Sequence, residues 1–208
     1  MKTLIGISMA ALVIAASPAL AQQQSQGQQP QAQQPQAQQP RGQESRAQRA
    51  EERRDQHFMT QAIEGNFAEV KMGQLAQQKG ATDDVKSFGK TLVDDHGKAN
   101  DAAMKTAKDI GMNNPPSGPS KTQTTAHDKL AKLSGQAFDR AFARDMVRDH
   151  KKDIAEYERA AKESSPVGQY AKDQLPVLRK HLQMAEKIES SGATAQRRTP
   201  ETRGQRQR

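Results

Sequence analysis

The chain has no cysteine and no tryptophan, and only two tyrosines and five phenylalanines among 208 residues. Without cysteine there is no disulfide and no thiolate metal site. The lipid-bearing cysteine that a lipoprotein carries at its new N-terminus is missing as well. An apolar share of 33% with so few aromatics supports one modest core. Long apolar runs are scarce too: Leu4 to Ala16 spans 13 residues, short of the roughly 20 that cross a bilayer. The mature chain is therefore expected to have no transmembrane anchor. No segment alternates with a period of two, and no glycine-rich phosphate loop follows a strand, which removes the common nucleotide-binding motifs.

At the N-terminus, Lys2, the apolar run and Ala19-Leu20-Ala21 have the order of a secretory signal, with cleavage expected after Ala21. That pattern predicts a periplasmic or secreted protein. Residues 22 to 40 follow, twelve of the nineteen being glutamine, with Pro30, Pro35 and Pro40 spaced by five. Such a segment cannot bury a core and reads as a solvated tether. The arginine-rich residues 41 to 54 complete a disordered linker over 22–54, and residues 191–208 form a basic disordered tail.

The formal charge of +8 belongs mostly to these ends, since residues 55–190 carry 21 basic and 20 acidic side chains. A nucleic-acid-binding fold would place a basic face and stacking aromatics on the domain itself, so no nucleic-acid partner is expected. The tails could adhere to anionic envelope surfaces, more weakly as salt rises.

Residues 55–190 show helical periodicity throughout. The first helix, about Asp55 to Lys79, is striped by Phe58, Ala62, Gly65, Met72 and Ala76. Thr82 is the expected N-cap of the second, whose stripe runs Val85, Phe88, Leu92, His96, Asn100, Ala103, Ala107 and Ile110. After the breaker "NNPPSGPS" a short helix, about Thr122 to Leu133, leads into a third long one striped by Phe138, Phe142, Met146, His150, Ile154 and Tyr157. Ser165-Pro166 opens the fourth, with Val167, Ala171, Leu178, His181, Leu182, Ala185 and Ile188. Four amphipathic helices burying their stripes together, with a short helix in the crossover, form an all-α four-helix bundle.

Two phrases echo each other: "LVDDHGKAN" at Leu92–Asn100 and "MVRDHKKDI" at Met146–Ile154. Matching Phe88 to Phe142 matches His96 to His150, the pattern of an internal repeat, which a duplicated helical hairpin would leave. Each histidine is 14 residues beyond its expected helix start, so the two are level if their helices run parallel. His150 and His181 lie at similar distances on either side of the turn near Ser165, which levels that pair as well. Glu69 on the first helix is about one turn from this layer and leans toward it.

Glu69, His96, His150 and His181 together would suit a divalent transition metal such as zinc, iron or copper. Asp95 and Asp149, about 100° around the helix, would then orient the imidazoles. The alternative is that each histidine packs separately in the core and the two aspartates are solvated. His57 and His127 have no matching partners and read as surface or helix-end residues.

The segments "IEGNFAEVKMGQLAQQKG", "VKSFGKTLVDDHGKAN", "LSGQAFDRAFARDMVRDHKKDI" and "LPVLRKHLQMA", in this order, resemble the bacterial family labelled domain of unknown function 4142, over about residues 55 to 190. The resemblance implies a ferritin-like four-helix bundle in an outer-membrane or periplasmic protein, with no settled activity. The di-iron pattern of ferritin-like proteins needs Glu-x-x-His on two helices. Here Val93, Val147 and Leu178 stand three residues before the histidines, which argues against a carboxylate-bridged dinuclear centre. Two readings follow. One is a non-enzymatic envelope or stress-related bundle, the more economical because it needs no cofactor. The other is a metal-binding bundle with a mononuclear His/Glu site.

Overall fold

The structure, a computed structural model, describes the backbone of residues 41–198 and the side chains of residues 45–192. The signal-like residues 1–21, the glutamine-rich tether to Pro40 and the end of the basic tail lie outside the described residues. Among the described residues five helices follow one another: α1 (Arg41–Lys79), α2 (Asp83–Asp109), α3 (Lys121–Ala131), α4 (Gly135–Ala160) and α5 (Pro166–Arg198). Among the described residues there is no strand, and no helix is long and apolar enough to cross a membrane.

The ends depart from the sequence reading. The first helix starts at Arg41, not near Asp55, and α5 continues past Ser190 to Arg198. Residues 43 to 54 contain neither proline nor glycine and are rich in arginine, glutamine, glutamate and alanine, all good helix formers, so a helix anchored in the core extends through them.

The four long helices pack in a ring, α1 along α2, α2 against α5, α5 along α4, and α4 against α1, while α3 lies across α1 and α4. α2 and α4 are therefore diagonal. Near their N-termini Asp139 of α4 meets the head of α2, and farther along Phe88 and Phe142 meet edge to face at 5.8 Å, so the two helices run parallel. Thr82 caps α2 by accepting from Val85 N–H, with Asp83 and Asp84 in the favourable first turn. At the other end Gly111 takes φ 70°, a left-handed conformation that suits glycine, and the chain leaves the helix.

Asp139 ties the two halves together. Its carboxylate accepts from Ala81 N–H at 2.9 Å, Thr82 N–H at 3.1 Å and the Thr82 hydroxyl at 3.0 Å. Replacing it with alanine removes the acceptor from three partly buried donors, and the expected loss is about 2 to 3 kcal/mol in urea unfolding. An unchanged midpoint would mean that water takes over all three bonds.

The core has two apolar bodies. One gathers Met72, Leu75, Val85, Phe88, Phe142 and Ile188 with their neighbours. The other gathers Met59, Ile63, Ala103, Tyr157, Tyr170 and Leu178. On every long helix the chain passes from one body to the other through buried polar residues: Asn66 and Glu69 on α1, His96 on α2, His150 on α4 and His181 on α5. A polar layer thus cuts the core at one height.

Helices α1 and α2 approach closely at two glycines. A Cβ on Gly73 would stand 2.5 Å from the Gly89 carbonyl oxygen, and a Cβ on Gly89 would stand 2.6 Å from that of Gly73. Only glycine at both positions allows the backbones this near.

Candidate metal centre

Each histidine reaches the layer from its own helix because it sits on the stripe that the apolar residues around it bury. His150 and His181 are fully buried and His96 is 5% exposed. One ring nitrogen from each lies within 4.8 Å of those of the other two. The ring centroids are 5.2 Å apart for His96–His181, 5.4 Å for His150–His181 and 5.9 Å for His96–His150.

The hydrogen bonds around this group set its tautomers. His150 Nδ1–H donates to the Met146 carbonyl at 3.0 Å, which leaves Nε2 as a lone pair. His181 Nε2–H donates to Asp95 Oδ2 at 3.0 Å, which leaves Nδ1 as a lone pair. The Asn66 amide donates from Nδ2 to the Tyr170 hydroxyl at 3.1 Å, so its Oδ1 accepts His96 Nδ1–H at 3.0 Å. His96 Nε2 is then also a lone pair, and it has no hydrogen-bond partner although it is buried. Every N–H is taken by an acceptor already in place. His150 Nε2 and His181 Nδ1, 3.4 Å apart, face one another as two acceptors.

Burial keeps these rings neutral. It holds His96 well below the usual imidazole range, with added repulsion from His150 and His181. His150 is lowered to about 4, by burial first and then by His181. Burial also lowers His181, against the opposing pull of Asp95. At neutral pH no proton has to leave before a cation can bind.

Asp95 bonds an imidazole across the bundle, that of His181, and not that of its neighbour His96. Asp149 does not do the same for an imidazole: it pairs with Arg148 at 3.1 Å and borders a surface cleft. The converging group comprises the three histidines, while Glu69 lines that cleft together with His96. Burial, with Asp153 and Asp149 nearby, pushes the Glu69 carboxyl well above the usual range. His57 is exposed, and His127 on α3 lies 3.1 Å from Asp128, both away from the layer.

Asn66 was not singled out in the sequence, although it fixes the His96 tautomer. Its signal was its spacing, four residues after Ala62 and three before Glu69 on the buried face. Tyr170 was missed as well; it holds the Asn66 amide and points its hydroxyl at the Ala99 carbonyl, 3.4 Å away.

Asp153, at the cleft, is pushed up to about 7, chiefly by burial; Lys152 opposes the rise, and Glu156 and Asp149 add to it. A folded-state pKa raised above the unfolded value contributes stability at low pH that is lost as pH rises through about 7. Asp153→Asn should therefore be more stable than the parent at pH 8, by about 1 to 2 kcal/mol after allowing for partial exposure, and equal to it near pH 4. Thermal melts across that range would show the gap opening with pH, and a constant gap would contradict the assignment.

The model of one family, described as domain of unknown function (DUF4142), matches residues 38–188. The chain belongs to that family. Within the DUF4142 match lie all four long-helix stripes, the three histidines, Asn66, Asp95 and Tyr170, together with all of residues 41–54. No curated protein and no solved structure matches the chain. The DUF4142 description carries no activity.

Proposed function

We propose that this protein is an exported metal-binding helical bundle in which His96, His150 and His181 hold a single divalent transition ion. The observation that carries this reading is the convergence of the imidazoles: one nitrogen of each ring bonds an acceptor already in place, and one nitrogen from each lies within 4.8 Å of those of the other two. Separate core histidines would satisfy themselves singly. Buried acceptors facing one another are costly unless a cation lies between them.

Neutral imidazole is a good ligand for zinc, copper and iron, and three of them leave coordination positions for water or another donor. Tetrahedral coordination by imidazoles needs nitrogens roughly 3.3 Å apart. The His150–His181 edge already has that spacing. A role in holding metal within the envelope follows, without requiring catalysis, and a ferritin-like relationship for the bundle belongs to the same proposal.

Export rests on the signal-like order of residues 1–21. Metal analysis of tag-free protein recovered from the periplasmic fraction tests both parts. The expected result is close to one zinc, copper or iron per chain, lost in His150→Ala. Protein confined to the cytoplasm would overturn export, and metal-free protein that takes up none of these ions on titration would overturn the site.

A further inference from the structure

A cleft of about 540 Å³ opens between α1, α3 and α4, and His96 forms part of its lining. Five carboxylates border it, Glu64, Glu69, Asp149, Asp153 and Glu156, against Arg148 and Lys152. Both bases are engaged: Arg148 binds Asp145 at 2.7 Å and Asp149 at 3.1 Å, and Lys152 lies 3.6 Å from Glu156. Neither is in an ion pair with Glu69 or Asp153 among the described residues. The inner wall is more telling than the charge. Glu69 is 6% exposed, and its Oε2 accepts no hydrogen bond; His96 Nε2, in the same lining, has no partner either. Two residues that each carry a buried polar atom without a partner thus line one acidic cleft.

We propose that Glu69 and Asp153, with Asp149 at the rim, form a second cation position in this cleft, an oxygen-donor site through which a divalent ion reaches the histidines. Carboxylates select hard ions such as Mn²⁺, whereas the imidazole group prefers zinc or copper, so the two positions differ in kind. The cleft gives ions a negatively lined way in, which raises their local concentration beside His96. The binding position stands on the cleft alone, while its role as a route rests on the histidine site proposed above.

The test uses the full chain, tag-free, with one equivalent of Zn²⁺ added first and Mn²⁺ then titrated by electron paramagnetic resonance. One Mn²⁺ per chain is expected. Its affinity should fall at least tenfold in Glu69→Gln/Asp153→Asn and persist in His150→Ala. Zinc uptake from a chromophoric chelator should slow about tenfold in the same double variant while its final stoichiometry is unchanged.

Circular dichroism establishes that the double variant is folded. If it is not, the two single variants should each weaken Mn²⁺ binding about threefold or more. Absence of Mn²⁺ binding in the parent, or equal Mn²⁺ binding in parent and variants, would overturn the cleft site. Unchanged zinc uptake would overturn its role as a route. A parent that fails to hold zinc yet binds Mn²⁺ through Glu69 and Asp153 would sink the histidine reading and leave the cleft site standing.

Discussion

Zinc should raise the melting temperature of the parent protein by about 8 to 16 °C and that of His96→Ala, His150→Ala or His181→Ala by almost nothing. The size follows from mass action: free ion at a thousand times the dissociation constant adds about 4 kcal/mol. For a helical domain of this size each kcal/mol moves the midpoint by about 2 to 4 °C. The reason all three variants should fail alike is that each removes one of three ring nitrogens that lie within 4.8 Å of one another. Independent core histidines would behave otherwise: each substitution would lower the midpoint of the metal-free protein by its own lost packing, and added zinc would shift parent and variants equally. Melts in chelator and in zinc separate the two outcomes.

Gly89→Val should cost about 3 kcal/mol or more, a large share of the stability of an ordinary domain. Any side chain there meets the Gly73 carbonyl at 2.6 Å, the Ala76 Cβ at 2.8 Å and the Gln77 nitrogen at 3.2 Å, and two of these three are backbone. No rotamer change relieves such a contact, so α1 has to move away from α2. The damage should reach the metal centre. Gly73 is seven residues after Asn66, and Gly89 is seven before His96, so in antiparallel helices the glycine contact and the Asn66–His96 bond are two turns apart on each helix, about 10 Å. A shift of α1 by even one residue, about 1.5 Å, breaks a 3.0 Å hydrogen bond. Gly89→Val is therefore expected to weaken zinc binding as well as to lower the urea midpoint. Gly97→Ala, where added carbon meets open space, should stabilise by up to about 1 kcal/mol and serves as the control. Equal midpoints for the two variants would show that the close approach is not needed.

The stripes of α2, α4 and α5 were legible because most of their buried residues recur every three or four positions; of those expected inside, Asn100, Ile110, Ile154 and Leu182 are half-buried and the others are buried. On α1 the reading was rotated slightly: Phe58 and Gly65 were expected inside, yet Met59, Ile63 and Asn66 are the buried ones. Its buried face includes Asn66 and Glu69, polar residues that blur an apolar count. The shared height of the three histidines was also legible, from chain positions and the parallel placement of α2 and α4. What spacing could not supply was which side each hydrogen-bond partner comes from. Asp95 serves a histidine 86 residues away, and Asp149, its match in the second phrase, serves an arginine beside it. The echo does not follow the pairing that a duplicated hairpin would leave. That event would equate α1 with α4 and α2 with α5, whereas the phrases equate the diagonal helices α2 and α4.

The polar layer draws one histidine from the hairpin of α1 and α2 and two from the hairpin of α4 and α5. Any particle held by all three is consequently a bridge between hairpins and not a filling within one. Parting the hairpins would break that bridge together with the His181–Asp95 and Asn66–Tyr170 bonds, which join the same two halves. Interactions that form only when the halves dock act on the rate of coming apart more than on the rate of coming together. Occupancy of the layer would then be recorded as persistence: a folded chain that outlasts its empty counterpart under protease or denaturant by the lifetime of the bridge, even where both reach the folded state equally fast.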